Sequence, residues 1–271
     1  MRVLFVCFVL MGSVCFAQDD AVIAKTHQKG DFFIYWGWNN SAYSKSDIHF
    51  SGNNYDFTIE DAIAHDRQTP FNTYDYFHPL RITIPQFNTR IGYFVNDCYS
   101  ISIGADHMKY VVDSNQVVNV SGYIENTDTQ YDGIYNNEPI VLATDLILFE
   151  HTDGLNYINI ECRRVDELKT LNKVSFSITE GLGVGVLIPK TNATLLNKGR
   201  YDDFHISGYG LGAVVGLQIN FWQHFFIQSE AKGGFINMPD IRTTKNPVDK
   251  ASQHFFFAQA NIVFGVRFNL R

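Results

Sequence analysis

Residues 254–270 read HFFFAQANIVFGVRFNL, and every even-numbered residue from Phe256 to Leu270 is apolar. Polar side chains, including Gln259, Asn261 and Arg267, fall at odd-numbered positions. Successive side chains of a β-strand point to opposite faces, so this alternation predicts a strand with one apolar and one polar face. The stretch is longer than the roughly 9–11 residues that a strand needs to cross a bilayer. We therefore predict that it crosses a membrane with its polar face toward a lumen.

The same alternation recurs along the chain and predicts seven further strands, at residues 31–39, 84–95, 99–112, 140–165, 174–188, 209–221 and 225–236. One of them, 140–165, contains Asp153-Gly154 in its middle. This dipeptide is typical of a bulge in one long strand or of a type I′ hairpin turn between two short ones. A bulge gives eight strands, and a hairpin implies about ten.

The connections between the predicted strands alternate between short and long. Short connections lie at 96–98, 166–173 and 222–224, and long ones at 40–83, 113–139, 189–208 and 237–253. Short periplasmic turns and long external loops are typical of outer-membrane barrels. The fold class predicted is all-β, a closed antiparallel up-and-down transmembrane β-barrel with long extracellular loops. A soluble secreted β-sandwich is the alternative.

Aromatic residues near the strand ends favour the barrel. One predicted girdle, at the periplasmic ends, consists of Tyr93, Tyr99, Phe221, Trp222, Phe225 and Phe268. The other, at the outer ends, consists of Trp36, Trp38, Tyr209 and Phe235. Within the long connections we expect short strands at 47–51, 55–59 and 117–124 and a helical turn at Glu60–His65.

The first residues resemble a secretory signal. Arg2 supplies a positive charge, an apolar run follows, and 15–17 (Cys-Phe-Ala) fits a cleavage site. The expected domains are a signal peptide at 1–17 and a barrel at 18–271. The formal charge of −7 argues against nucleic-acid binding. Two cysteines of the mature chain, Cys98 and Cys162, can pair in an oxidising compartment, but their predicted faces disagree.

From residue 31 onward, the chain resembles small outer-membrane β-barrels of the OmpA-type and OmpW-type size class, without a periplasmic domain. Residues 264–270, FGVRFNL, resemble the C-terminal signal that the barrel-assembly machinery reads in such proteins. The chain departs from that pattern in ending on Leu-Arg instead of an aromatic residue. The resemblance implies the outer membrane of a Gram-negative bacterium as location.

Charged and amide side chains on the inward faces form a predicted lumen network: Asn88, Arg90, Glu161, Arg163, Glu230, Lys232 and Arg267. The interior of an eight-stranded barrel is just wide enough for side chains to fill. Buried charges of both signs are expected to pair, because an isolated one is very costly. We expect a plug rather than an open pore, with a narrow ligand tunnel as the alternative. Glu180 falls on the lipid face by parity, and a bulge at Gly181 is expected to turn it inward.

Two clusters combine histidine with carboxylates. One contains Asp106 and His107, and the other contains Glu150, His151 and Asp153. A histidine beside carboxylates is suited to general base catalysis or metal binding. Residues 151–153 are also loosely similar to the His-x-Ser pair of PagL-type lipid A deacylases, with Glu161 further along the strand. The serine is replaced by Asp153, which removes the nucleophile.

The function expected from the sequence is envelope structure, surface binding or limited passage of small solutes through a largely plugged barrel. The alternative is a lipid-modifying enzyme, a lipid A deacylase or acyltransferase, that uses the histidine–acid residues. Expected partners are outer-membrane lipids and lipopolysaccharide, and the barrel-assembly machinery during biogenesis. We expect a monomer with no cofactor and no bound metal.

Overall fold

The computed structural model describes residues 26–78 and 80–270. The described chain is almost entirely β-structure, with one short helix, α1, at Thr73–Phe77. The strands are β1 Asp31–Tyr43, β2 Ser46–Gly52, β3 Tyr55–Ala62, β4 Ala64–His65, β5 Phe87–Phe94, β6 Tyr99–Val112, β7 Val117–Ile124, β8 Gly133–Val141, β9 Ile147–Leu171, β10 Val174–Leu187, β11 Lys190–Leu195, β12 Tyr201–Phe204, β13 Gly208–Phe221, β14 Phe225–Arg242 and β15 Lys250–Asn269.

Eight of these strands form a closed antiparallel ring. The order is β1-β5-β6-β9-β10-β13-β14-β15, and β15 pairs back with β1 from Asn269 to Phe257. Each ring strand overlaps one of the eight predicted strands, so the predicted fold class is confirmed. The signal peptide predicted at 1–17 lies outside the described residues.

The choice between eight and ten strands is decided at Asp153-Gly154. β9 is one continuous strand of 25 residues across this dipeptide. Its pairing with β6 shifts register between Met108 and Tyr110, which leaves extra residues on the β9 side. Gly154 has a φ of 124°, a conformation that favours glycine. The dipeptide is therefore part of a bulge, and the ring has eight strands.

The register around the ring fixes the tilt of the strands. Following paired residues from Phe32 once around the ring leads back to β1 at Ala42, ten residues further along. A stagger of this size in an eight-stranded barrel corresponds to strands tilted by about 40° from the barrel axis. Residues paired side by side on neighbouring strands therefore differ only slightly in depth, but these differences add up around the ring.

The two faces of β15 follow the sequence pattern. The even-numbered residues from Phe256 to Phe268 are exposed, except that Val266 is half-buried, and the odd-numbered residues from Phe255 to Arg267 are buried in the lumen. The other ring strands show the same division, so an apolar belt surrounds the barrel. Among the described residues, no α-helix is long and apolar enough to span a membrane.

The outer aromatic girdle differs from the prediction in one respect. Phe235 pairs with Phe256 at the upper end of the belt. Trp38 instead pairs with Ile262, midway along β15 between Phe256 and Phe268, and Trp36 pairs with Phe264, lower still. Both tryptophans therefore lie near the middle of the lipid-facing surface. The sequence placed them at the outer end because a long connection follows them, but the stagger of the ring sets this part of β1 lower in the wall.

The bulge predicted at Gly181 is wrong. β10 pairs without interruption from Ser177 to Leu187 on both sides, and Glu180 remains on the exposed outer face. Its neighbour in the register on β9 is Arg164, whose guanidinium forms a 2.6 Å ion pair with Asp166. The Glu180 carboxylate therefore lies on the outer face, about midway along β10.

Above the membrane, the long connections form further β-structure. β2, β3, β7 and β8 extend the sheet from the upper end of β15, and β11 pairs with both β9 and β12. The predicted short strands in 40–83 and 113–139 are present, but the predicted helical turn at Glu60–His65 is wrong. Those residues belong to β3 and β4, and the helix lies further on at Thr73–Phe77. Cys98 and Cys162 are both exposed and free, so they form no disulfide with each other.

Candidate functional site

The lower half of the lumen is filled by a network of six charged side chains contributed by four strands, β5, β6, β9 and β14. Glu161 of β9 lies at its centre and contacts three cations: Arg90 at 2.9 Å, Arg163 at 2.7 Å and Lys232 at 2.7 Å. Arg163 also pairs with Glu230 at 2.5 Å, and Lys232 also pairs with Asp106. Three carboxylates and three cations balance, so the buried network carries no net charge.

Neutral side chains complete the hydrogen bonding of these charges. The Tyr35 hydroxyl accepts from Arg90 Nε at 3.1 Å and from Arg163 at 3.0 Å. Asn159 accepts from Arg90 at 2.5 Å, and Asn88 donates to Asp106 at 2.6 Å. Burying charge is tolerated only when pairing and hydrogen bonding are both complete. These paired and hydrogen-bonded side chains fill the lumen at this level, and we refer to them as the plug.

Little free space remains beside the plug. The internal cavity between Arg163 and Arg267 measures about 20 Å³, which holds about one water molecule. Six of the seven predicted lumen residues lie in or directly against the plug. The seventh, Arg267, lies lower, at the periplasmic end.

Arg267 is separate from the charged network. Its guanidinium donates to the backbone oxygen of Thr26 at 2.6 Å and to Asn220 at 3.3 Å. It lies over the rings of Phe94 and Phe226, each at 5.6 Å from the ring centroid. Within residues 26–78 and 80–270, no carboxylate lies within ion-pairing distance of it. Arg267 therefore closes the periplasmic end through backbone and aromatic contacts instead of an ion pair.

The upper half of the lumen is apolar. Side chains from the ring strands and from the extracellular strands form one continuous buried core, which includes Phe50, Phe57, Met108, Tyr110, Leu155, Tyr157, Phe255 and Phe257. The extracellular strands thus cover the mouth of the barrel and pack into it. The lumen is closed twice, by ion pairs below and by apolar packing above.

The histidine–acid candidates do not come together in one site. Asp106 points into the lumen and pairs with Lys232, whereas the adjacent His107 lies on the opposite face of β6, stacked on Phe87. This separation follows from the alternation of a strand, which directs neighbouring side chains to opposite faces.

Glu150, His151 and Asp153 lie above the barrel wall and face different surroundings. Glu150 pairs with Arg67 at 3.0 Å and Asp153 with Lys190 at 2.7 Å. His151 is fully buried among aromatic rings beyond the last rung of the wall, with Nδ1 3.1 Å from the Thr191 hydroxyl. Burial lowers the pKa of His151 to about 3, so the imidazole is neutral and shielded from solvent. Among the described residues, no group of three or more metal-ligating side chains comes together.

Tyr35 and Asn159 are two of the network residues absent from the sequence-based set; Gln228 and Asn261, which both donate to Glu230, are two others. Tyr35 has the opposite parity to Trp36 on β1, so its inward direction was readable from the alternation. Its role as a shared hydrogen-bond partner of Arg90 and Arg163 could not be read from the sequence, because these arginines lie on other strands, β5 and β9.

The sequence matches no family model and no curated protein. Among solved structures, the chain is similar to the outer membrane protein OprG from Pseudomonas aeruginosa, with a TM-score of 0.42 and 13% identity over 90% of this chain and 98% of that one. It is similar to the outer membrane protein AlkL, with a TM-score of 0.40 and 10% identity over 94% and 98%. It is also similar to the attachment invasion locus protein Ail of Yersinia pestis, with a TM-score of 0.35 and 13% identity over 89% and 99%.

The fold itself defines the class. A closed ring of eight tilted antiparallel strands, with an apolar outer belt, short turns at one end and long connections at the other, is the architecture of the small outer-membrane β-barrels. This chain has that fold, with a filled lumen and an ordered extracellular β-extension.

Proposed function

We propose that the protein is a non-conducting outer-membrane barrel that holds a rigid β-structured surface for binding outside the cell. The observation that supports this is the double closure of the lumen. A charge-balanced plug fills the lower half, and an apolar core shared with the extracellular strands fills the upper half. Envelope attachment and surface binding then remain as functions, and solute passage is not favoured.

The extracellular sheet has a distinctive charge. Residues 113–145, which carry β7 and β8, contain six acidic residues and no lysine or arginine. Glu125, Asp128 and Glu138 are exposed there. A surface of one sign attracts partners of the opposite sign. Ail has been crystallised with the polyanionic heparin analogue sucrose octasulfate; the acidic hairpin of this chain favours a cationic partner instead.

Planar-bilayer recording tests the closed lumen. The refolded protein is expected to give no steady current at neutral pH. A stable large-channel conductance would remove the proposal, because it requires a continuous water path through the plug. A lipid-modifying activity is a separate question that mass spectrometry of lipid A addresses, and the separated positions of Asp106, His107 and His151 give it no support.

Binding to a decalysine peptide tests the acidic surface. The wild-type protein in vesicles is expected to bind the peptide at low salt, and the variant Glu125→Gln/Asp128→Asn/Glu138→Gln is expected to bind it more weakly. The control Asp202→Asn/Asp203→Asn removes two carboxylates from β12 and should retain binding. Equal binding by all three proteins would contradict a role for the β7–β8 hairpin.

A further inference from the structure

The barrel wall has a gap on its outer half, next to β1. β5 begins at Phe87 and pairs with β1 only as far as Trp38, whereas β1 continues to Tyr43. On the other side, β5 pairs with β6 only up to His107, and β6 continues to Val112. Among the described residues, no single strand joins β1 to β6 above these points; β4 pairs only with Val111 and Val112 of β6.

This gap lies at membrane depth. The opposite edge of β1 remains paired with β15, with Asn40 against Ala260 and Ala42 against Ala258. Both alanines are exposed on the lipid-facing side of β15, below Phe256 of the outer girdle. Backbone groups of an open sheet edge are not tolerated in hydrocarbon, so another part of the chain must satisfy them.

Polar residues of the β4–β5 connection satisfy that edge. The amide of Asn39 donates to the backbone oxygen of Gln86 at 3.4 Å, and the amide of Ser41 donates to the Asp66 carboxylate at 2.8 Å. The side chain of Gln68 donates to the backbone oxygen of Asn39 at 2.7 Å. The connection thus replaces the missing part of β5 with loop atoms.

The other side of the same connection is apolar. Its helix α1 is capped by Asn72, whose side chain accepts from the amide of Asp75 at 2.7 Å. The ring centroids of Phe77 and Trp38 lie 5.4 Å apart, on the lipid-facing surface of β1. Yet Phe77 remains 59% exposed and Tyr74 60% exposed. No residue of α1 is buried in the protein.

Two flanking residues extend this apolar surface. Phe71 is 71% exposed and Leu80 is 88% exposed. Between Phe71 and Arg81, the charges of Asp75 and Arg81 neutralise each other in an ion pair at 2.7 Å. A cluster of large exposed apolar side chains marks an interaction surface. Its contact with Trp38, near the middle of the belt, places the cluster beside acyl chains.

We propose that the β4–β5 connection is a lipid-facing seal: its polar side closes the gap between β1 and β6, and Phe71, Tyr74, Phe77 and Leu80 insert into the outer leaflet. The partner of this surface is the acyl-chain region of the membrane. The seal anchors the barrel on one side and couples the extracellular sheet to the bilayer through β4, which pairs with β6.

Electron paramagnetic resonance depth measurement tests the insertion. Nitroxide labels are attached to single cysteines in a Cys98→Ser/Cys162→Ser background, in dimyristoyl phosphatidylcholine vesicles. The test site is Tyr74→Cys. The references are Leu211→Cys on the lipid-facing side of β13 and Ile134→Cys on the exposed strand β8. Heat-modifiable migration in gels establishes that each labelled protein is folded.

The label at position 74 is expected to resemble the one at position 211, with high access to oxygen and low access to a nickel chelate. Accessibility closer to that at position 134 overturns the proposal. Chymotrypsin provides a second readout on the wild-type protein, without any substitution. The bonds after Tyr74 and Phe77 should resist cleavage in vesicles, and rapid cleavage there in intact vesicles would likewise overturn it.

Discussion

Glu161→Gln is the substitution that should reveal most about the plug. It removes the carboxylate shared by three cations in a fully buried site, where Glu161 and Arg90 are each about 1% exposed. In the variant, Arg163 keeps Glu230 and Lys232 keeps Asp106. Arg90 loses its ion pair and keeps only neutral partners such as Tyr35 and Asn159.

The expected cost is that of leaving one charge unpaired in a buried site, about 3–5 kcal/mol of unfolding free energy. Replacing Arg90 by Gln as well restores the charge balance. The double variant should therefore lose less stability than the sum of the two single variants, with a coupling energy of about 1–3 kcal/mol. This non-additivity would show that Arg90 loses its charged partner when Glu161 is neutral.

Urea unfolding in detergent micelles measures these free energies, with tryptophan emission as the signal. The three tryptophans, Trp36, Trp38 and Trp222, are outside the plug, so the substitutions do not alter the probe directly. Glu138→Gln on exposed β8 serves as the control and should leave the free energy of unfolding unchanged. Additive losses in the double variant, or an unaffected Glu161→Gln protein, would refute the plug as described.

Three further outcomes are expected. Burial, and to a smaller extent the positive charge of Arg267, lower the pKa of His27 to about 4. The free energy of unfolding should therefore fall as the pH drops from about 6.5 toward 4, by roughly 2 kcal/mol at pH 5. The urea midpoint of a His27→Gln variant should fall less over the same pH range. A Cβ on Gly37 would lie 2.0 Å from the backbone oxygen of Ile262, so Gly37→Ala should lower the free energy of unfolding by about 1–3 kcal/mol. A Cβ on Gly212 would lie 3.4 Å from Cε of Lys232, so the control Gly212→Ala should retain the heat-modifiable band of the wild type. Glu180→Leu should raise the urea midpoint, because position 180 is exposed on the lipid-facing surface; a lowered midpoint would contradict this expectation.

The alternation of side chains determined much of this protein directly. It predicted the ring strands, which face of each is apolar, and the lumen position of residues such as Glu161 and Lys232. The lengths of the connections predicted the direction of the chain through the membrane. These features are local, because the direction of a side chain on a strand depends only on its position along that strand.

The pairing of those side chains was decided only by the tertiary structure. Arg267 and Glu161 both point into the lumen, yet Glu161 contacts three cations and Arg267 contacts aromatic rings. The difference arises because the stagger of the ring determines which residues from different strands lie at the same level. The same stagger brought Trp38 to mid-membrane. The register of β6 with β9 separated Asp106, which pairs with Tyr157, from His151, which pairs with Tyr110. The alternating pattern of the final strand, residues 254–270, predicted the barrel without any other information. What the polar face of this strand contacts was determined by its register with the neighbouring strands, because that register depends on every strand in the closed ring.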